Sequence, residues 1–85
     1  MLRCMGVVIA LCSLMACGPT QSRECKRMLE RMEGCAQLPS TSRTLIEQMG
    51  YEEGGACWED ADYAEVCTQA CIRTMADWDR DGICP

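Results

Sequence analysis

The sequence contains no histidine, no Cys-x-x-Cys motif and no glycine-rich phosphate loop. Without histidine, no hydroxyl or thiol nucleophile has a visible general base, and a Cys/His zinc site is ruled out. The missing Cys-x-x-Cys pattern excludes covalent haem and a redox dithiol site of that type. These absences predict a protein that is not an enzyme.

Cations are scarce as well. Eight Lys and Arg stand against thirteen Asp and Glu, which gives a formal net charge of −5. Nucleic acids and anionic lipid surfaces attract clustered positive charge. The excess of acidic residues therefore argues against a nucleic-acid partner and against membrane binding through a cluster of basic residues.

A run of about 20 apolar residues, long enough to cross a bilayer, is also missing. The apolar stretch at the start of the chain covers only residues 5–16, and it follows a short segment that contains Arg3. A charged start, a short apolar middle and small residues at the end are typical of a secretory signal peptide. We predict that residues 1–16 are this leader.

The end of the leader, Leu14-Met15-Ala16-Cys17, resembles the lipobox of bacterial lipoproteins. The resemblance implies that Cys17 carries a lipid, so that the membrane is a partner through this lipid and residues 17–21 form a tether. Gly18 after the cysteine implies the outer membrane under the sorting rule of Gram-negative lipoproteins. The alternative is ordinary cleavage after Gly18, which would place Pro19 directly behind the cut.

Nine cysteines are an odd number for a secreted chain. Two leave with the leader and Cys17 takes the lipid, so six remain for disulfides. A domain of this size needs such bridges, because its apolar core alone is small. Only Cys67 and Cys71 have a spacing typical of zinc ligands, which makes metal binding the weaker alternative. The six are Cys25, Cys35, Cys57, Cys67, Cys71 and Cys84.

The pattern of apolar and polar residues over 22–85 predicts a small all-α domain with three helices. The first covers residues 22–34, the second begins at Thr41 or Ser42 and runs to Met49, and the third covers about residues 59–75. Residues 51–56 are expected to be a loop, and residues 76–85 to be irregular, with Cys84 as a clamp. Helical spacing defines the side chains expected to face inward, which are Cys25, Met28, Leu29, Met32, Leu45, Ile46, Met49, Tyr63, Val66, Cys67, Ala70, Cys71 and Met75.

Cys25 and Cys35 are separated by nine residues, as are Cys57 and Cys67. This spacing is similar to the twin Cys-x9-Cys pattern of coiled-coil-helix proteins. The resemblance implies two main antiparallel helices with bridges Cys25–Cys67 and Cys35–Cys57, which leaves Cys71 for Cys84. A bridge between Cys25 and Cys71 is the rival pairing, because Cys67 and Cys71 share a helix face.

Two groups of carboxylates are candidates for metal binding or catalysis. Asp77, Asp79 and Asp81, followed by Gly82, resemble the start of an EF-hand loop, which makes calcium the one candidate cofactor; the alternative is a solvated acidic turn. The second group is expected to form an exposed helix face and not a catalytic pair. It contains Glu59, Asp60, Asp62 and Glu65.

These features together predict a lipid-anchored lipoprotein of the bacterial envelope with a structural or interaction role, for which an envelope protein is the candidate partner. Two alternatives remain open, a secreted calcium-dependent binding module and a freely secreted cysteine-rich effector. Trp58 and Trp78 are expected to pack beside the bridges, although one of them could be an exposed contact residue.

Overall fold

The structure, a computed structural model, describes residues 19–85. This part contains helices α1 (Arg23–Glu33), α2 (Ser40–Gln48) and α3 (Ala61–Asp81), a 3₁₀ turn (Ala56–Trp58) and no strand. The prediction of a small, disulfide-stapled all-α domain is confirmed. None of the helices in these residues combines the length and the hydrophobicity that crossing a bilayer requires.

Helix α1 forms as its apolar spacing predicts. The Ser22 side chain accepts a hydrogen bond from the backbone N–H of Cys25, which satisfies one of the free donors at the helix start. Cys25, Met28 and Met32 are buried along a single stripe. This helix therefore supplies one side of the core.

Helix α2 contributes no buried residue. Leu45 and Met49 are exposed, so the prediction that they face inward is wrong, while Ile46 packs against the core. The core position beside α2 is taken by Leu38, which precedes the helix and is buried. Helix α2 thus lies on the surface with apolar side chains turned to solvent.

Helix α3 begins at the Asp60 cap, whose carboxylate accepts a hydrogen bond from the backbone N–H of Tyr63 at 2.8 Å. It continues to Asp81, so the prediction of irregular structure from residue 76 onward is wrong. No helix breaker precedes Gly82, which ends the helix in a left-handed conformation with φ of +73°. Trp78 is buried two helical turns beyond Cys71 on the same stripe and holds the added turns against α1.

The disulfides join Cys25 to Cys71, Cys35 to Cys84 and Cys57 to Cys67. The rival pairing Cys25–Cys71 is confirmed, and the three pairs implied by the twin Cys-x9-Cys resemblance are wrong. Cys25, near the start of α1, is bridged to Cys71 within α3, and Cys35, just after α1, is bridged to Cys84, just after α3. The two helices therefore run parallel and not antiparallel. Residues 34–60 make the long return that a parallel arrangement requires.

The core is built largely from the bridges themselves. Twelve apolar residues are buried, and half of them are the six cysteines. Both tryptophans are buried, which confirms that they pack beside the bridges. Met28 and Met32 belong to this core, whereas Met75 only packs against its edge. With so few large side chains inside, covalent links carry much of the stabilisation.

Arg43 of α2 joins its helix to the end of α1. Its two terminal guanidinium nitrogens donate to the backbone oxygens of Met32 and Cys35, at 2.8 and 2.7 Å. The carbonyl of Met32 also accepts a hydrogen bond from the backbone N–H of Cys35 at 3.1 Å, and a cation at this end of α1 favours the helix dipole. The guanidinium therefore holds α2 in place although α2 buries no side chain.

We expect Arg43→Ala to lower the free energy of unfolding by about 2 kcal/mol, because two charge-assisted hydrogen bonds are lost at once. Arg43→Lys should be intermediate, since one ammonium is a poor match for two separate carbonyls. Urea denaturation followed by circular dichroism measures the change. Arg73→Ala removes an exposed arginine of α3 and is the matched control. Equal urea midpoints for Arg43→Ala and Arg73→Ala would show that the two hydrogen bonds of the Arg43 guanidinium contribute nothing to stability.

Candidate interaction surface

The predicted lipid site lies just ahead of the described chain. The leader, residues 1–16, and Cys17 fall outside residues 19–85, so their prediction is not tested by the structure. Closer to the domain, the side-chain amide of Gln21 donates to the backbone oxygen of Tyr51 at 3.0 Å. This contact fixes the chain ahead of α1, at the residue where the predicted tether would end. The four residue steps from Gln21 back to Cys17 span at most about 14 Å.

All six cysteines of the described part are bridged, and each is at most 2% exposed. No thiol in residues 19–85 is therefore free to ligate a metal or to pair with Cys17. The cysteines predicted to form bridges all do so.

The three aspartates proposed for calcium lie around the end of α3 and not in a loop. Alternate residues of a helix point in nearly opposite directions. Asp79 is paired with Arg31 at 2.7 Å, and Asp77 with Arg80 at 3.0 Å. No group of three possible metal ligands occurs in residues 19–85. The helix thus places Asp79 on a different face from Asp77 and Asp81, so the three carboxylates do not converge as they would in a calcium loop.

The acidic residues at the start of α3 are exposed, as predicted for a solvated face: Glu59, Asp60, Asp62 and Glu65. The carboxylate of Asp60 serves as the helix cap.

The position of these acidic residues in the fold follows from the parallel arrangement of α1 and α3. The Cys25–Cys71 bridge sets an offset of 46 residues, so Arg23 at the start of α1 is level with Gln69. Residues 61–66 of α3 therefore extend beyond α1, and we call them the α3 overhang.

The overhang carries two exposed apolar side chains. Val66 is 60% exposed and Tyr63 40%, so the prediction that both face the core is wrong. The reason is geometric, because α1 does not reach far enough to cover them. Tyr51 lies buried nearby. Its burial raises the pKa of its hydroxyl, Tyr63 raises the pKa further, and Arg73 lowers it in part.

A groove of about 380 Å³ runs between α1 and α3. Its α1 side carries arginines spaced one turn apart, and its α3 side is mainly apolar. The lining includes Arg23, Arg27, Arg31, Ile72, Met75 and Asp79. We call this feature the α1/α3 groove. The spacing of the arginines was visible in the sequence, but the groove depends on the parallel pairing and was not predicted.

Arg31 belongs to the framework of the groove. Its Nε donates to the backbone oxygen of Cys84 at 2.6 Å, and its guanidinium lies 5.6 Å from the centre of the Trp78 ring. A terminal nitrogen pairs with Asp79. Arg23 and Arg27, by contrast, are exposed, and neither forms an ion pair within the described residues. Two cations are thus left facing solvent beside an apolar floor.

Charge is divided unevenly along the chain. Residues 44–72 contain seven carboxylates and no lysine or arginine, whereas α1 contains four of the seven cations found after Arg3. The overhang lies in the acidic part and the groove is lined by the basic part. The net charge alone hides this separation.

Comparison with known proteins found no matching family, no matching curated relative and no matching solved structure. The function has to be argued from the chain itself.

Proposed function

We propose that this chain is a small lipid-anchored lipoprotein of the bacterial envelope, held at the outer membrane through Cys17, with a non-enzymatic structural or interaction role. The observation that carries the proposal is the complete pairing of the six cysteines in residues 19–85. A disulfide framework of this kind is typical of an oxidising compartment outside the cytoplasm.

The pairing also bears on Cys17 itself. A cysteine that follows a leader and precedes a domain with no spare thiol has no disulfide partner in that domain. Lipidation gives such a residue a use, and the residues before it, Leu14-Met15-Ala16, fit the lipobox pattern. The short tether then keeps the folded part within about 14 Å of the bilayer.

The surface supports an interaction role. Exposed apolar side chains occur on α2, on the overhang and along the groove, and each lies beside polar or charged residues. Apolar patches with polar rims are typical of contact sites. A domain kept close to a membrane by a tether presents such surfaces to neighbours in the same membrane.

The proposal is tested by the intact mass of the full chain isolated from the membranes of a bacterial host. We expect the mass of residues 17–85 plus acyl groups, with six alkylatable thiols that appear only after reduction. Cys17→Ala should remove the acyl mass and leave the leader attached, because processing depends on the lipid-modified cysteine in the resembled family.

Cys12→Ser is the matched control, since this leader cysteine is absent from the expected product. Its product should have the same mass as that of the unchanged chain. A soluble product that begins at Pro19, or acylation that survives Cys17→Ala, would contradict the lipoprotein assignment.

A further inference from the structure

We propose that the α1/α3 groove binds the α3 overhang of a second copy of this chain, so that copies associate head to tail. The two surfaces differ in place and complement each other in chemistry. One is an apolar floor edged by unpaired arginines, and the other is an apolar ridge edged by carboxylates.

The groove supplies the cationic side. Arg23 and Arg27 extend from α1 along the same edge as the framework residue Arg31, and Ile72, which is 40% exposed, contributes to the floor. Glu24 and Asp79 also line the groove. Asp79 is neutralised by Arg31, so two arginines face one free carboxylate and the groove remains cationic.

The overhang supplies the acidic side. Val66 and Tyr63 form its apolar ridge, and Asp60 and Asp62 lie beside them. Asp62 is one helical turn from Val66 and so lies on the same face. The 3₁₀ turn packs against this end of α3 through the Cys57–Cys67 bridge, but α1 stops short of it. Val66 and Tyr63 therefore stay exposed, and a groove of a second copy can contact them.

The dimensions are compatible. The arginine edge from Arg23 to Arg31 spans eight residues, or about 12 Å of helix. A helix with its side chains is about 10 to 12 Å across. One end of a second helix therefore fits along the groove, with its carboxylates beside Arg23 and Arg27.

A second copy is favoured because this chain itself carries the matching surface. With thirteen carboxylates available, Arg23 and Arg27 still find no carboxylate partner within the described residues. An anionic membrane is a poorer occupant, since the overhang projects from the same end as the tether and its acidic residues would be repelled there.

Groove and overhang are different surfaces, so the contact is heterologous, and the rotation between successive copies decides whether they form a closed ring or an open row. The contact is small, and it rests on the proposed membrane tether for the high local concentration that makes a weak contact effective.

The experiment uses zero-length carbodiimide crosslinking, which joins an amine to a carboxylate in direct contact. Lys26 is the single lysine of the chain, so Lys26→Arg leaves no side-chain amine. Adding Arg27→Lys to that variant places one amine in the groove at unchanged charge. The full-length double variant, in host membranes, should give a covalent dimer that joins position 27 to Asp62 or Asp60. Lys26→Arg alone should give none of this product.

Asp62→Arg in the double variant should abolish this dimer, whereas Glu47→Arg makes the same charge change on α2 and should leave its yield unchanged. Fractionation before crosslinking reports separately whether the chain is membrane-bound. If it is not, the same crosslinking is carried out on the concentrated purified chain. The proposed association would be overturned if the dimer were absent in either setting or were joined through other carboxylates. It would also be overturned if Asp62→Arg left the dimer yield unchanged.

Discussion

Replacing Cys25 and Cys71 together by alanine should lower the free energy of unfolding by about 4 kcal/mol, enough to leave so small a domain largely unfolded at 37 °C. The bridge closes a segment of 46 residues and therefore restricts the unfolded chain strongly. Both cysteines are fully buried, so their loss also removes packing from the centre of the core.

The matched comparison is the double alanine variant of Cys57 and Cys67, whose bridge closes a segment of only ten residues. The same relation gives about 2.7 kcal/mol for this shorter loop. Thermal and urea denaturation, followed by far-UV circular dichroism, should rank the two variants in that order. If removal of the long bridge were no more harmful than removal of the short one, restriction of the unfolded chain would not be the main source of stability.

Gly50→Ala should destabilise the fold by roughly 3 kcal/mol, because two costs coincide there. Gly50 has a φ of +85°, which disfavours any side chain, and an added Cβ would lie 2.7 Å from the backbone nitrogen of Ala56. The turn cannot relax easily, since the N–H of Cys57 donates to the carbonyl of Gly50 at 3.1 Å. The expected result is a lower urea midpoint with an unchanged denaturant slope.

Two other glycines distinguish the cost of a positive φ from the cost of close packing around the added Cβ. Gly54 has a similar φ of +81° but open space around it, so Gly54→Ala should cost only about 1 kcal/mol. Gly34 has a φ of −91° and open space, and Gly34→Ala should be nearly neutral. If Gly50→Ala were no worse than Gly54→Ala, close packing against Ala56 would not matter.

Helix α1 could be predicted from sequence because its stripe, its serine cap and its glycine stop all agree. The end of α3 could have been predicted too. Trp78 continues the stripe of Cys67 and Cys71, and no breaker occurs before Gly82. The alternating aspartates instead favoured a turn. Helical periodicity and the absence of a breaker prevail over the resemblance to a ligand loop.

The direction of α3 relative to α1 could not be predicted. Periodicity defines which face of a helix is apolar, but a parallel and an antiparallel partner satisfy the same face. The connection between α1 and α3 is long enough for either. Because the bridge pattern depends on that direction, the sequence offered Cys25–Cys71 only as the rival pairing, and the complete set of bridges, the overhang and the groove were beyond it.

The exposure of Leu45 and Val66 has a related cause. Both occupy apolar positions of amphipathic helices, yet each is well over half exposed. A core filled largely by cysteines has room for few other side chains, and within residues 19–85 nothing covers Leu45 on α2 or Val66 on the overhang. Amphipathic spacing predicts which face is apolar, and it does not show that a partner for that face exists within the chain.

The position of the Cys25–Cys71 bridge has a mechanical consequence. It lies at the beginning of α1, directly behind the segment fixed by Gln21. A force applied to the chain ahead of α1 passes into α3 through this covalent link before it can separate the buried faces of Met28, Met32 and Trp78. A pull on the chain ahead of α1 is therefore carried by the bridge between the helices, and the buried contacts between α1 and α3 are shielded from it.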